Sequence, residues 1–176
     1  MTISHVVLLG PMASGKTTLG RSLAELLASD FVDSDVSIGA TTGVNAAEIA
    51  STAGVSQLHR IEKEVLLAAL ASPSLSVIAA AASVVDDDGV RKELSDHLCL
   101  WVEADETTLS RRLGSAPHRR WLSEREAEHL NRARRGKAAN LVIGRIDTTD
   151  LTVEESTTLA IDILAPLLPD RLERRP

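Results

Sequence analysis

Apolar positions along the chain fall into two rhythms. Val6–Leu9, Phe31–Asp33, Leu75–Ala80, Leu98–Val102 and Leu141–Ile143 are short, nearly continuous apolar runs, the pattern of strands buried on both faces. Elsewhere the spacing changes. Leu19, Leu23, Leu26 and Leu27 recur every three or four residues, with Arg21, Ser22 and Glu25 on the opposite side, as in an amphipathic helix. Helical spacing predicts helices over Lys16–Ala28, Asn45–Ala53, Gln57–Ala71, Asp88–Leu94, Thr107–Leu113, Ser123–Arg135 and Val153–Leu168. Short strands alternating with longer helices predict an α/β fold, a five-stranded parallel sheet with helices on both faces. Ligands of such sheets sit beyond the carboxyl ends of the strands, so the chemistry is expected there. No repeat or low-complexity linker interrupts the pattern. Residues 1–170 therefore read as a single domain, and 171–176 as a C-terminal tail.

Composition narrows the class. Aromatic residues make up 2% and Tyr is absent, so the core is aliphatic and no platform for stacking bases is evident. A net charge of -6 opposes broad nucleic-acid binding. The longest nearly apolar stretch, Val77–Val85, is about half of what a membrane-spanning helix needs. The N-terminus has no basic region followed by an apolar signal segment. These features predict a cytoplasmic protein with no nucleic-acid or membrane partner; a monomer is the expectation. Cys99, inside an apolar run, reads as a small buried side chain.

The candidate chemistry begins directly after the first apolar run. Gly10-Pro11-Met12-Ala13-Ser14-Gly15-Lys16-Thr17-Thr18 fits GxxxxGK[ST], a phosphate-binding loop between strand and helix. Phosphate oxygens are held by inward-pointing backbone N–H groups, so the loop must curl tightly, and glycine permits that curl. Gly10, Ala13, Ser14, Gly15 and Thr18 therefore count as nucleotide-binding positions. Lys16 reaches the β- and γ-phosphates, and the Thr17 hydroxyl can ligate Mg²⁺. The helix that follows presents its N-terminus to the same phosphates. A nucleoside triphosphate and Mg²⁺ are the expected cofactors. After the second strand, Asp33-Ser34-Asp35 offers two carboxylates. One can complete the Mg²⁺ shell and the other can accept the proton of an attacking hydroxyl. Alternatively, both simply cap the next helix.

Taken together with Thr42-Gly43, Glu48-Ile49, Gly54 and Glu62, these motifs resemble the shikimate kinase family over nearly the whole chain. That resemblance implies a P-loop fold with a mobile lid, transferring a phosphoryl group from Mg·ATP to a ring hydroxyl of shikimate. It implies that Thr17 and Asp33 hold Mg²⁺, that Asp35 binds the acceptor hydroxyl and that Lys16 contacts the transferred phosphoryl. The segment Arg111–Leu122 resembles the family's lid, placed at about 112–124. By register Arg112 packs on adenine and Arg119 reaches into the site, with Trp121 as a latch. The loop after Ile143, Gly144–Asp147, is also placed at the adenine by resemblance.

The acceptor side departs from the family pattern. An arginine that grips the substrate carboxylate is His59 here, and Arg60, one position on, points roughly 100° away along a helix. A glycine-rich turn is replaced by Ala79-Ala80-Ala81-Ala82, which puts Cβ atoms at the substrate-binding positions Ala80, Ala81 and Ala82. A further substrate arginine falls among Arg132, Arg134 and Arg135, with Arg134 favoured. Phosphate and metal positions are retained while acceptor positions change. The expectation is an active kinase for a small hydroxylated metabolite other than shikimate, an uncharged one included. Alternatives are a gluconate-kinase-like enzyme, a nucleoside or nucleotide kinase, which the dearth of aromatics disfavours, and a nucleotide-binding regulator without acceptor turnover. Asp86-Asp87-Asp88 reads as a helix cap, and His5, His97, His118 and His129 lack ligand spacing.

Overall fold

The computed structural model describes residues 4–114 and 123–169. Its sheet is formed by β1 (Val6–Leu9), β2 (Asp30–Asp33), β3 (Ser76–Ala79), β4 (Leu98–Glu103) and β5 (Val142–Asp147). All neighbours are parallel, in the order β2-β3-β1-β4-β5. The helices are α1 (Lys16–Leu26), α2 (Ser34–Thr42), α3 (Ala46–Ala53), α4 (Val55–Leu70), α5 (Asp88–Leu94), α6 (Glu106–Leu113), α7 (Glu124–Ala138) and α8 (Val153–Leu164), with a 3-10 turn at Ala82–Asp86.

β1 is apolar throughout because helices cover both faces of it. Val6 and Leu8 pack with Val77, Leu100 and Val102 against Leu19 and Leu23 of α1 and Ala160 and Leu164 of α8. Val7 and Leu9 turn the other way, toward Ile78, Cys99 and Trp101 and the helix residues Leu66, Val90, Leu94 and Ala138. Each fully buried Val or Leu contributes about 1.5–3 kcal/mol relative to exposure. Cys99 is buried as expected, and burial pushes its thiol up to about 12.

The strand order fixes where a ligand can sit. β1 lies between β3 and β4, so the connections that leave the sheet centre diverge at its carboxyl end and open a crevice there. The loop Gly10–Gly15 occupies the mouth of that crevice.

Two elements differ from the sequence expectation. The sequence pattern does not predict α2, because Ser34–Thr42 carries no apolar stripe: only Ser34 and Ile38 are buried and Val36 is exposed. Its start is set instead by Asp33, whose Oδ1 accepts the N–H groups of Asp35 at 2.9 Å and Val36 at 3.4 Å. β5 extends to Asp147, so Gly144–Asp147 is strand and not the loop assigned to adenine. It is an edge strand with Ile146 buried and Ile143, Arg145 and Asp147 exposed, and that alternation hides it from a search for apolar runs.

Candidate active site

The phosphate loop is shaped by close packing at its start. Gly10 has φ 142 and lies so near β4 that a Cβ would fall 1.9 Å from the Val102 carbonyl oxygen. Gly15, at φ 97, forms the N-cap of α1. Ala13 also takes positive φ, 64°, which for alanine stores about 1–2 kcal/mol of strain. Ser14 is buried and its Oγ has no hydrogen-bond partner among the described residues. The Lys16 ammonium folds back onto its own loop, donating to the carbonyls of Gly10 at 2.9 Å and Pro11 at 2.7 Å. Desolvation lowers its pKa to about 8, against the opposing pull of Asp35 and Asp33.

Thr17, in the first turn of α1, donates its hydroxyl to Asp33 Oδ2 at 2.6 Å. One Asp33 oxygen thus caps α2, the alternative reading of the sequence, while the other turns toward the phosphate loop and accepts from Thr17. Two hard oxygen donors brought together beside a phosphate loop fit Mg²⁺. Asp35 sits exposed in the first turn of α2. Thr18 is exposed beside Thr17.

The far side of the loop is tied by a residue that sequence reasoning missed. Thr148, 5% exposed, donates its hydroxyl to the Ser14 carbonyl at 2.9 Å. Arg112, in the last turn of α6, donates to the Thr148 hydroxyl at 2.8 Å, to the Thr148 carbonyl at 2.7 Å and to the Ala13 carbonyl at 3.4 Å. Arg119, Trp121 and the rest of the lid segment 115–122 lie outside the described residues, as does the tail 170–176.

Across the crevice, α4, the 3-10 turn and α7 bring together a second set of ionisable groups. Glu62 is buried and accepts the Ser83 hydroxyl. Burial raises its pKa, with Asp35 adding to the effect while Ser83 and Arg134 oppose it. Arg134, also buried, donates to Asp86 Oδ2 from Nε at 2.9 Å and Nη2 at 2.8 Å. Lys137 donates to Asp86 Oδ1 at 2.7 Å. Burial acts to raise Asp86, but the bonds from Lys137 and Arg134 outweigh it and hold the carboxyl below its usual range. His59 is half-buried, and burial together with Arg134 lowers its pKa despite Asp86. Arg60 faces solvent and pairs with Glu64 at 2.8 Å.

The alanines after β3 sit comfortably. Ala79 ends the strand, Ala80 is buried in the core with its N–H donating to the Leu8 carbonyl at 3.0 Å, and Ala81 and Ala82 are half-buried. Among the described residues, only Ala13 and Ala28 take positive φ outside glycine. The 80–82 backbone therefore adopts a path that alanine tolerates.

A family model described as shikimate kinase matches residues 12–164, from the phosphate loop to the last helix. The chain belongs to the shikimate kinase family. Shikimate kinase from Mycobacterium avium (strain 104) is 32% identical, over 82% of this chain and 94% of that one. Shikimate kinase from Mycobacterium tuberculosis (strain ATCC 25177 / H37Ra) is 36% identical, over 77% and 76%. A structure of Acinetobacter baumannii shikimate kinase in complex with shikimate superposes with TM-score 0.82 at 27% identity, covering 97% of this chain and 96% of that one. A gluconokinase from Sinorhizobium meliloti 1021, TM-score 0.62 at 16% identity, shares the fold. Shikimate kinase family membership makes the chain an ATP-using small-molecule phosphotransferase with an alcohol group as acceptor.

Proposed function

We propose that this chain transfers the γ-phosphoryl group of Mg·ATP to a hydroxyl of a small polyhydroxylated metabolite, the class to which the family's shikimate belongs. The observation that carries the reading is the Thr17–Asp33 contact of 2.6 Å beside Lys16, at the carboxyl ends of β1 and β2. Thr17 and Asp33 would hold Mg²⁺. When bound, the ion neutralises charge on the β- and γ-phosphates.

The remaining work falls to the chain's own side chains. Lys16 leaves the carbonyls of Gly10 and Pro11 and engages the phosphoryl oxygens, aided by the N–H groups of Gly10, Ala13, Ser14, Gly15 and Thr18. Asp35 accepts the acceptor's proton as the new O–P bond forms and the bond to ADP breaks. Arg112 braces the adenine side, and Arg119 of the lid stabilises the phosphoryl oxygens. His59, Ala80, Ala81, Ala82 and Arg134 line the acceptor side.

The reading takes the protein as a cytoplasmic monomer, and none of the described helices is long and apolar enough to cross a membrane. The test is ADP release from Mg·ATP with shikimate and with a panel of polyols. Acceptor-dependent release is expected. ATP binding with no stimulation by any hydroxylated acceptor would reject the reading and leave a nucleotide-binding regulator.

A further inference from the structure

Arg134 presents a charged guanidinium in a nearly closed setting, so it needs an anion. The acceptor could supply one, or the chain could. Here the chain does. Asp86 takes both the Nε and Nη2 donors of Arg134 on one oxygen and the Lys137 ammonium on the other. Asp86 is not borrowed from the neighbouring helix cap, because Asp87 performs that task by accepting the Val90 N–H at 2.9 Å.

Four further cations of α4 and α7 are also engaged. On α4, Arg60 pairs with Glu64, and Lys63 with Asp87 at 2.7 Å. On α7, Arg132 pairs with Glu128 and Arg135 with Glu103. His59, next to Arg134 and Asp86, is held toward its neutral form. Glu62 couples electrostatically to both Arg134 and Asp35, which places three carboxylates, Asp35, Glu62 and Asp86, around this space. An acceptor carboxylate entering here would have to displace Asp86 to reach Arg134.

We propose that Asp86 is a built-in counter-ion for Arg134, and that the acceptor is consequently an uncharged polyol, a cyclitol or a sugar without a carboxylate. The inference rests on the kinase reading above and names the charge class of its acceptor. Asp86 acts here as a specificity-determining residue. Glu62 and Ser83, whose hydroxyl hydrogen is already given to Glu62, leave acceptor oxygens for the hydroxyls of such a partner.

The experiment compares shikimate with its primary amide, which keeps the ring, the hydroxyls and the shape but removes the charge. ADP release is followed in the wild type and in Asp86→Asn. The wild type should favour the amide by roughly tenfold or more in kcat/KM, and Asp86→Asn should reverse the order by lowering KM for the acid. ADP affinity reports the fold of the variant, with Asp86→Ala as the replacement should Asp86→Asn fail to bind ADP. If the wild type turns over neither compound, calorimetric titration with shikimate decides. Asp86→Asn should bind the acid roughly tenfold more tightly than the wild type. A wild type that prefers the acid, or an Asp86→Asn variant with no gain for it, overturns the proposal while leaving the kinase reading intact. Failure of that reading shows separately, as ATP bound without turnover of any acceptor, charged or neutral.

Discussion

The hydroxyl of Thr148 donates to the backbone carbonyl of Ser14 across 2.9 Å, so the segment after β5 holds the phosphate loop in place. The same hydroxyl accepts from Arg112 at 2.8 Å. One small side chain thus joins the loop, α6 and the end of β5. Thr148→Val keeps the volume and leaves both partners short of a hydrogen bond. The loss should be about 1–3 kcal/mol, seen as roughly tenfold or more weaker ADP binding, while Thr148→Ser retains most of it. Equal ADP affinity in Thr148→Val and the wild type would remove Thr148 from the nucleotide site.

Lys16 makes nucleotide binding pH-dependent in a stated direction. Desolvation brings its pKa to about 8 in the free protein, and a bound triphosphate favours the charged form. Binding therefore takes up a proton once the pH exceeds about 8, and affinity falls as pH rises, at most about tenfold per pH unit. Calorimetric titrations at about pH 8.5, in buffers of different ionisation enthalpy, should show uptake. Titrations without proton uptake at that pH would contradict the Lys16 geometry.

A second pH effect acts on stability, at the opposite end of the sheet. His97 is buried and its Nδ1 accepts the His5 backbone N–H at 3.1 Å, an interaction only the neutral ring can make. Burial, with a smaller push from His5, lowers its pKa below 6.5, against Asp96 and Glu93. Because the folded-state value is the lower one, the unfolded chain binds the extra proton first. Stability is complete above about pH 6.5 and declines as the pH falls from there toward the folded value. His97→Asn offers an acceptor without titrating. Melting temperatures between about pH 7.5 and 5.5 should fall more steeply in the wild type than in the variant. Parallel curves would show that His97 does not carry the effect.

What the sequence reveals depends on whether a residue's partner is local. The phosphate loop is legible because Gly10, Gly15, Lys16 and Thr17 act at set spacing along one turn. The parallel sheet is legible because short apolar runs alternate with helical spacing, and β1 is apolar throughout because both its faces are covered. α2 is not legible as a helix, since only Ser34 and Ile38 of it are buried and no apolar stripe marks it, although its cap Asp33 is local. Thr148 carries no local signal, as its partners Ser14 and Arg112 come from distant segments. Asp86 reads from sequence as part of a helix cap for the same reason: the neighbouring Asp87 is the cap, whereas Asp86 answers to Arg134, 48 residues away. Within its cluster, Arg134 is the buried member, while Arg132 and Arg135 are exposed, a difference the local sequence does not carry.

The most direct test of the account is turnover by Lys16→Met. The account holds that Lys16 stabilises the phosphoryl group in transfer, beside a metal site made by Thr17 and Asp33. ADP release with a saturating acceptor should fall by roughly a thousandfold or more in Lys16→Met, with the fold preserved. Near-normal turnover in that variant would contradict the account and remove the phosphate loop from the chemistry.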